Sequence, residues 1–283
     1  MTPVQDCKYS HDVAVASITS YYTFLDRINS EDANKFEYPP PTGWPQFKRE
    51  LFPEGTDAVV ELLRHIPYPA ICGSGLLLMD ETQMVDHNFH ANNLLRDDLD
   101  QEGQSYALQN KRYMLNLDFE LPPHVVPLTD GGRYGYGLLI DTEQGTIIVT
   151  KNDNEYPTGI YGDGSCYQSY YREEGEDDDK DKMDSGRPWC WKRAPAFPIE
   201  EFFEMCKEQF RNMNWFATLD MNGCSDVHQL REDQHWETAW ERGMKKILTD
   251  CGWPGDGEGG GWDRERAEKE MKEMEKETSR YDE

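Results

Sequence analysis

Two histidines three residues apart, His87 and His90 in Asp86-His87-Asn88-Phe89-His90, carry the most ligand-like spacing in this chain. Imidazoles at i and i+3 share one face of a helix, and Asp80, Glu81 and Asp86 lie close in sequence, so the cluster could hold a transition metal. No HExxH motif accompanies them and no third ligand is identifiable, so the competing reading is two histidines on a polar surface loop. A second candidate is Gly162-Asp163-Gly164-Ser165-Cys166. A strained nucleophile elbow needs glycine two before and two after its serine, and here Asp163 and Tyr167 hold those places. Cys166 itself would need a histidine base, for which His124 is the nearest suggestion. The plainer reading is a glycine-rich turn.

A third concentration is aromatic. Trp189 and Trp191 flank Cys190 beside Lys192 and Arg193, Tyr167 lies upstream, and Trp215-Phe216 follows. Trp and Tyr are favoured where proteins recognise one another. Trp189, Trp191, Tyr167 and Trp215 are therefore candidate binding residues, with core filling as the alternative. Gly255 to Gly261 is glycine-rich, but no Lys-Ser/Thr follows it, and no GxGxxG follows a strand. The sequence thus implies no nucleotide and no other cofactor.

These groups sit in a strongly acidic chain. It has 283 residues, 55 acidic and 29 basic, for a net charge of -26. Phosphate backbones and anionic membranes need dense basic patches, and basic residues here come at most as adjacent pairs, so neither partner is expected. A protein partner fits the charge better, with a basic one as the natural option. No apolar run approaches the length of a membrane span. The stretch MTPVQDCKYSHDVAVAS lacks the basic region and apolar core of a secretory signal. Seven scattered cysteines, with no CxxC pair, argue against a disulfide framework or a zinc ribbon. The expected location is cytoplasmic, with the nucleus as an alternative.

The elements that would position these groups are legible in part. Residues 10–28 read as a helix capped by Ser10, and 56–65 as a second helix capped by Thr56. Residues 38–45, YPPPTGWP, are a rigid break. Ile71 to Met79 reads as a short strand, and 80–105 as a polar excursion. Tyr136–Ile140 and Thr146–Thr150 form a hairpin around Asp141-Thr142-Glu143-Gln144-Gly145. Residues 172–184, REEGEDDDKDKMD, carry eight acidic side chains against three basic ones. Such charge density resists packing, so 172–186 is expected to be a disordered acidic loop. Ile199 to Met213 reads as a third helix and about 229–250 as a fourth, ending at Gly252. Residues 254–262, PGDGEGGGW, read as a flexible linker, and 263–281 as a charged helical tail with little apolar surface.

The hairpin, its Asp-Thr-x-x-Gly turn, and the later Phe197-Pro198-Ile199-Glu200-Glu201-Phe202-Phe203 resemble the SUKH superfamily over about residues 44–216. More narrowly, HVVPLTDGGRYGYGLLIDTEQGTI and DAVVELLRHIPYP resemble an uncharacterised group of filamentous-fungal proteins. The superfamily includes yeast cell-wall assembly regulators and bacterial toxin-immunity proteins. Its usual Gly-Gly-Leu element has a looser counterpart at Gly73-Ser74-Gly75-Leu76. The resemblance implies a protein-binding scaffold without catalytic residues. The expectation is one α+β domain over 1–252, with a central, mostly antiparallel sheet, flanking helices and a charged helical tail at 253–283. Its expected function is a non-enzymatic intracellular protein-interaction module. A hydrolase-type enzyme using His87 and His90, or Cys166, is the alternative. An adaptor whose acidic loop contacts a basic ligand is the third possibility.

Overall fold

The computed structural model describes residues 7–29, 35–49, 55–70, 77–88, 121–130, 135–151, 194–219, 225–229 and 238–278. They form an α+β arrangement in which every described strand pairing is antiparallel.

Helix α1, His11–Asn29, follows Ser10, whose carbonyl accepts the Ala14 N–H at 2.9 Å. Its inner face places Ile18, Tyr21, Tyr22 and Leu25 at helical spacing, each 0% exposed. The Tyr21 hydroxyl donates to the Leu78 carbonyl at 2.5 Å, so this buried phenol is satisfied. Strand β1, Phe36–Glu37, pairs with β2, Tyr68–Pro69, after helix α2, Asp57–His65. Thr56 caps α2 by accepting the Val59 N–H, and Val59, Val60, Leu62 and Leu63 are its buried face, as the sequence pattern requires.

Strands β3, Leu77–Met79, β4, Thr82–Met84, and β6, Thr129–Asp130, form one sheet in the order β3-β4-β6. The expected excursion after residue 80 thus begins with a strand. Thr82 is buried because its hydroxyl accepts the Tyr136 N–H and donates to the Asp80 carbonyl. The four-stranded sheet has the order β5-β7-β8-β9, from Val125–Pro127, Tyr136–Asp141, Thr146–Lys151 and Ala196–Pro198. Its side chains alternate as a pleat demands. Leu138, Ile140, Ile147 and Val149 enter the main core, while Leu139 and Ile148 pack with Val125, Ala194 and Ala196 on the other face.

The hairpin turn is closed by its own residues. Asp141, 0% exposed, accepts the N–H groups of Glu143 and Gln144 at 2.8 and 2.9 Å. Gly145 has φ +71°, a conformation that suits glycine. The Gly145 carbonyl accepts the Ile199 N–H, tying the turn to the start of helix α3, Ile199–Arg211. Phe202, Phe203, Cys206 and Phe210 are the buried stripe of α3.

Strands β10, Trp215–Leu219, and β11, Ser225–Gln229, form a hairpin ladder, so Gln229 closes a strand rather than opening the fourth helix. That helix, α4, is Ala239–Asp250, and Thr238 with Glu241 forms its capping box. The apolar spacing from 236 onward hid this start signal, because a helical stripe does not reveal which end-cap is used.

Residues 253–262 also depart from expectation. Trp253 is 9% exposed within the main core, and its indole donates to the Phe210 carbonyl at 2.9 Å. The expected flexible linker at 254–262 is bound throughout. Asp256 Oδ1 accepts the Glu258 and Gly260 N–H groups, and the Glu258 carbonyl accepts from Arg27. Gly259, at φ +86°, approaches α1 so closely that a Cβ there would lie 3.0 Å from the Phe24 carbonyl oxygen. Helix α5, Arg264–Thr278, then packs on α4 through Ala267, Met271 and Met274. Composition suggested a free segment, but the glycines serve close approach to α1 and two tryptophans anchor the ends. The acidic loop at 172–186 lies outside the described residues.

Candidate functional site

The candidates read from sequence do not assemble into one site. His87 is 2% exposed, and its Nε2 lies 2.7 Å from the Pro127 carbonyl, bridging the segment after β4 to β5. Its ring meets Tyr68 edge-on at 6.4 Å. This is a buried histidine with a structural bond rather than a residue on a polar surface loop. Among the described residues no group of three His, Cys, Asp or Glu side chains could hold a metal ion. His124 Nδ1 is 3.3 Å from Glu143 at the hairpin turn, where the His124 carbonyl also accepts from Thr142. Its suggested partner Cys166 lies outside the described residues, as do His90, Tyr167, Trp189 and Trp191. Cys206 on α3 is fully buried, and burial pushes its thiol well above the usual cysteine range, so it is no nucleophile at neutral pH.

Trp215 is a core residue rather than an exposed binding side chain. It is 1% exposed and meets Phe210 edge-on at 5.5 Å. Its indole N–H nonetheless finds no acceptor among the described residues. The indoles of Trp44, Trp253 and Trp262 each donate to a carbonyl. An unpaired buried donor carries a penalty of about 1–3 kcal/mol, so Trp215 marks an imperfectly filled place.

A broad concavity lies elsewhere, along the outer face of α1. It is a groove of about 800 Å³ with α1 as its floor, Tyr38 to Pro41 as one wall, and His65 and Glu258 at its margins. The middle of the floor is made of Val15, Ala16, Thr19, Ser20 and Thr23, between the charged Asp12 and Arg27, with Ala16 and Ser20 exposed. Tyr38 is 42% exposed, and Val13 on the same helix is 43% exposed; they are the two exposed large hydrophobics among the described residues. The Tyr38 hydroxyl is 3.1 Å from Thr23 Oγ1, which holds the wall against the helix. Backbone bonds from Gly43 to Pro40 and from Trp44 to Arg64 fix the far end of the proline segment. At the α1 N-terminus, His11 and His65 meet edge-on at 5.1 Å, and both ring nitrogens face the Glu61 carbonyl, at 3.4 and 2.8 Å.

The other margin is electrostatic. Lys207 on α3 is 4% exposed, and its Nζ donates to Ser20 Oγ at 2.7 Å and to Glu258 Oε2 at 2.8 Å. Arg211 bonds Glu258, Glu204 and Glu208. Burial would raise the Glu204 pKa, but the Arg211 hydrogen bond and the Lys207 charge outweigh it and hold the carboxyl below its usual 4.5. A depressed carboxylate contributes stability above its ordinary pKa and loses it as pH falls through the folded value. Acid titration is therefore expected to loosen this corner below about pH 4.5, as the Glu204 amide shift would report.

The groove was missed in the sequence, although a signal was present. Residues 13–25 contain no charged side chain in a chain that is 30% charged. A two-faced helix without charge on its outer side leaves surface for contact. The proline run breaks the chain's regular structure and also builds the wall.

No family model matches the chain, and no curated protein or solved structure matches it significantly. No described helix is long and apolar enough to cross a membrane.

Proposed function

We propose that this chain is a non-enzymatic intracellular protein-interaction module that receives a segment of a basic partner in the α1 groove. The observation that carries this reading is an exposed helix face with no charged side chain over residues 13–25, bounded by Asp12 and Arg27 and walled by Tyr38 and prolines. Side chains of this kind form contact surface at little ordering cost, since Ala, Ser and Pro have few rotamers to lose. Asp12, whose side chain is 99% exposed, lies beside the groove. The net charge of -26 favours a basic partner through steering. The Asp-Thr-x-x-Gly hairpin and the Phe197–Phe203 segment underlie the proposed kinship with SUKH scaffolds, which points the same way.

The test uses Ala16→Arg. Ala16 is exposed, so the variant is expected to melt within about 0.5 kcal/mol of the parent. Tagged parent protein in native extract should retain a partner that Ala16→Arg and Tyr38→Ala both lose. Identical retained proteins would refute the groove.

The hydrolase alternative makes a separate demand. Metal chemistry through His87 and His90 requires stoichiometric zinc or iron in protein purified without a metal-affinity column. We expect elemental analysis to find neither, because no group of three His, Cys, Asp or Glu side chains among the described residues could hold a metal ion.

A further inference from the structure

We propose that α5 is a removable cover, and that the aromatic surface beneath it is a second interaction site whose partner is an amphipathic helix. The proposal rests on the fit between α5 and its floor. A cavity of about 30 Å³ remains between them, lined by Phe210, Trp215, Leu248, Trp253, Trp262 and Met271. That is room for about one or two waters beside a wall of three tryptophans. The Trp215 N–H is buried at this wall with no acceptor among the described residues. A helix that belonged permanently to the core would be expected to fill the space and satisfy the donor.

The hold of α5 is slight. Of its side chains, Ala267 is 0% exposed, and Met271 and Met274 are partly buried against α4 and the core. Arg264 is 8% exposed and bonds Glu268 within its own helix and the Arg27 carbonyl. Arg266 pairs with Glu270 at 2.7 Å and reaches α4 through a 3.4 Å bond to the Asp250 carbonyl. Internal pairs of this kind sustain a helix whether it is docked or not. Gly243 in the middle of α4 marks the dock. A Cβ there would lie 2.4 Å from Met274 Sδ, so the glycine is a notch for that methionine.

The resident helix specifies the partner. Its anchors fall at i, i+4 and i+7, the pattern by which a helix enters an apolar groove. The fitting partner helix has a small residue at the first position and an unbranched apolar residue at the third, in the Gly243 notch. At the second it carries a side chain bulkier than Met271, with an oxygen to accept the Trp215 N–H. The tethered α5 competes at the high effective concentration of a short linker, so a partner must fit better to displace it. This site shares no lining residue with the α1 groove, and its failure would leave that reading intact.

Hydrogen exchange on the intact chain tests the cover. Amides of α5 are expected to exchange at least about tenfold faster than those of α4, because independent opening exposes them without unfolding the core. Equal protection of both helices would overturn the proposal. The site is tested with a labelled synthetic peptide of residues 262–278 and the full-length double variant Met271→Asp, Met274→Asp. The peptide should bind this variant at least about tenfold tighter than the parent chain, whose own helix competes. A peptide carrying Ala267→Arg should not bind. No gain in binding, or a variant that unfolds once α5 is expelled, would overturn the proposal. A parent dimer that dissociates in Met274→Asp would assign the surface to a second copy and overturn the partner assignment.

Discussion

Gly145→Val is expected to destabilise the protein by at least about 3 kcal/mol, a loss of the size reserved for core defects. Two effects add. The residue has φ +71°, where a side chain costs about 1–2 kcal/mol, and a β-branched one more. A Cβ would also lie 2.9 Å from the Lys8 carbonyl carbon and oxygen and from the Tyr9 nitrogen. Those are backbone atoms, so no rotamer change relieves the clash. Relief requires moving residues 8–9 away from the turn, or moving the turn away from Ile199, whose N–H it accepts. Gln144→Ala, one residue earlier and partly exposed, should stay within about 0.5 kcal/mol. Urea unfolding of the two variants decides the matter, since equal midpoints would show that the turn does not support the N-terminal segment.

The second large effect is an ordering. Glu258→Gln should cost about 2 kcal/mol, whereas Lys207→Met should cost less than about 1 kcal/mol. Removing the Glu258 charge leaves the Lys207 ammonium, 4% exposed, with Ser20 and with a Glu204 oxygen at 3.6 Å. Breaking a fully buried pair costs about 3–5 kcal/mol, but the Glu258 side chain is 49% exposed, and water screens part of the loss. Replacing Lys207 with Met removes the buried charge and keeps much of the packing volume. Glu258 then still holds Arg211 at 2.9 Å. If Lys207→Met proves the more damaging variant, the cluster stabilises the fold through net Coulomb attraction, and the desolvation argument fails.

The elements most legible in the sequence were those that carry their own boundaries. Helix α2 was readable because Thr56 caps it and prolines stop it, and the hairpin because alternation flanks an Asp-to-Gly turn. Helix α4 was overextended because Thr238 and Glu241 lie inside a continuous apolar pattern, and nothing local favours one cap over another. The 254–262 segment was misread for a different reason. Glycine composition reports what backbone conformations are allowed, and says nothing of the α1 carbonyl that Gly259 must approach. His87 shows the same gap, since its burial depends on Pro127, forty residues away. The site was least legible of all. Single residues with reactive groups drew attention, while the α1 groove is built from residues chosen for lacking charge or bulk.

The partners of α1 also set an order of assembly. Its buried rings meet Phe203 and Phe210 on α3, and Trp253 beyond α4. Ser20 and Arg27 are bonded by Lys207 and by the Glu258 carbonyl and side-chain cluster. Tyr22 stacks on Phe36 only fourteen residues later, whereas Phe24 waits for Trp253, more than two hundred residues later, before its contacts are complete. Closing loops of that length is slow relative to local structure, and an uncovered aromatic face is prone to association in the meantime. During synthesis the nascent chain must carry Tyr21 without Phe203, and Phe24 without Phe210 and Trp253, which makes this stretch of α1 the natural place for a chaperone to hold it.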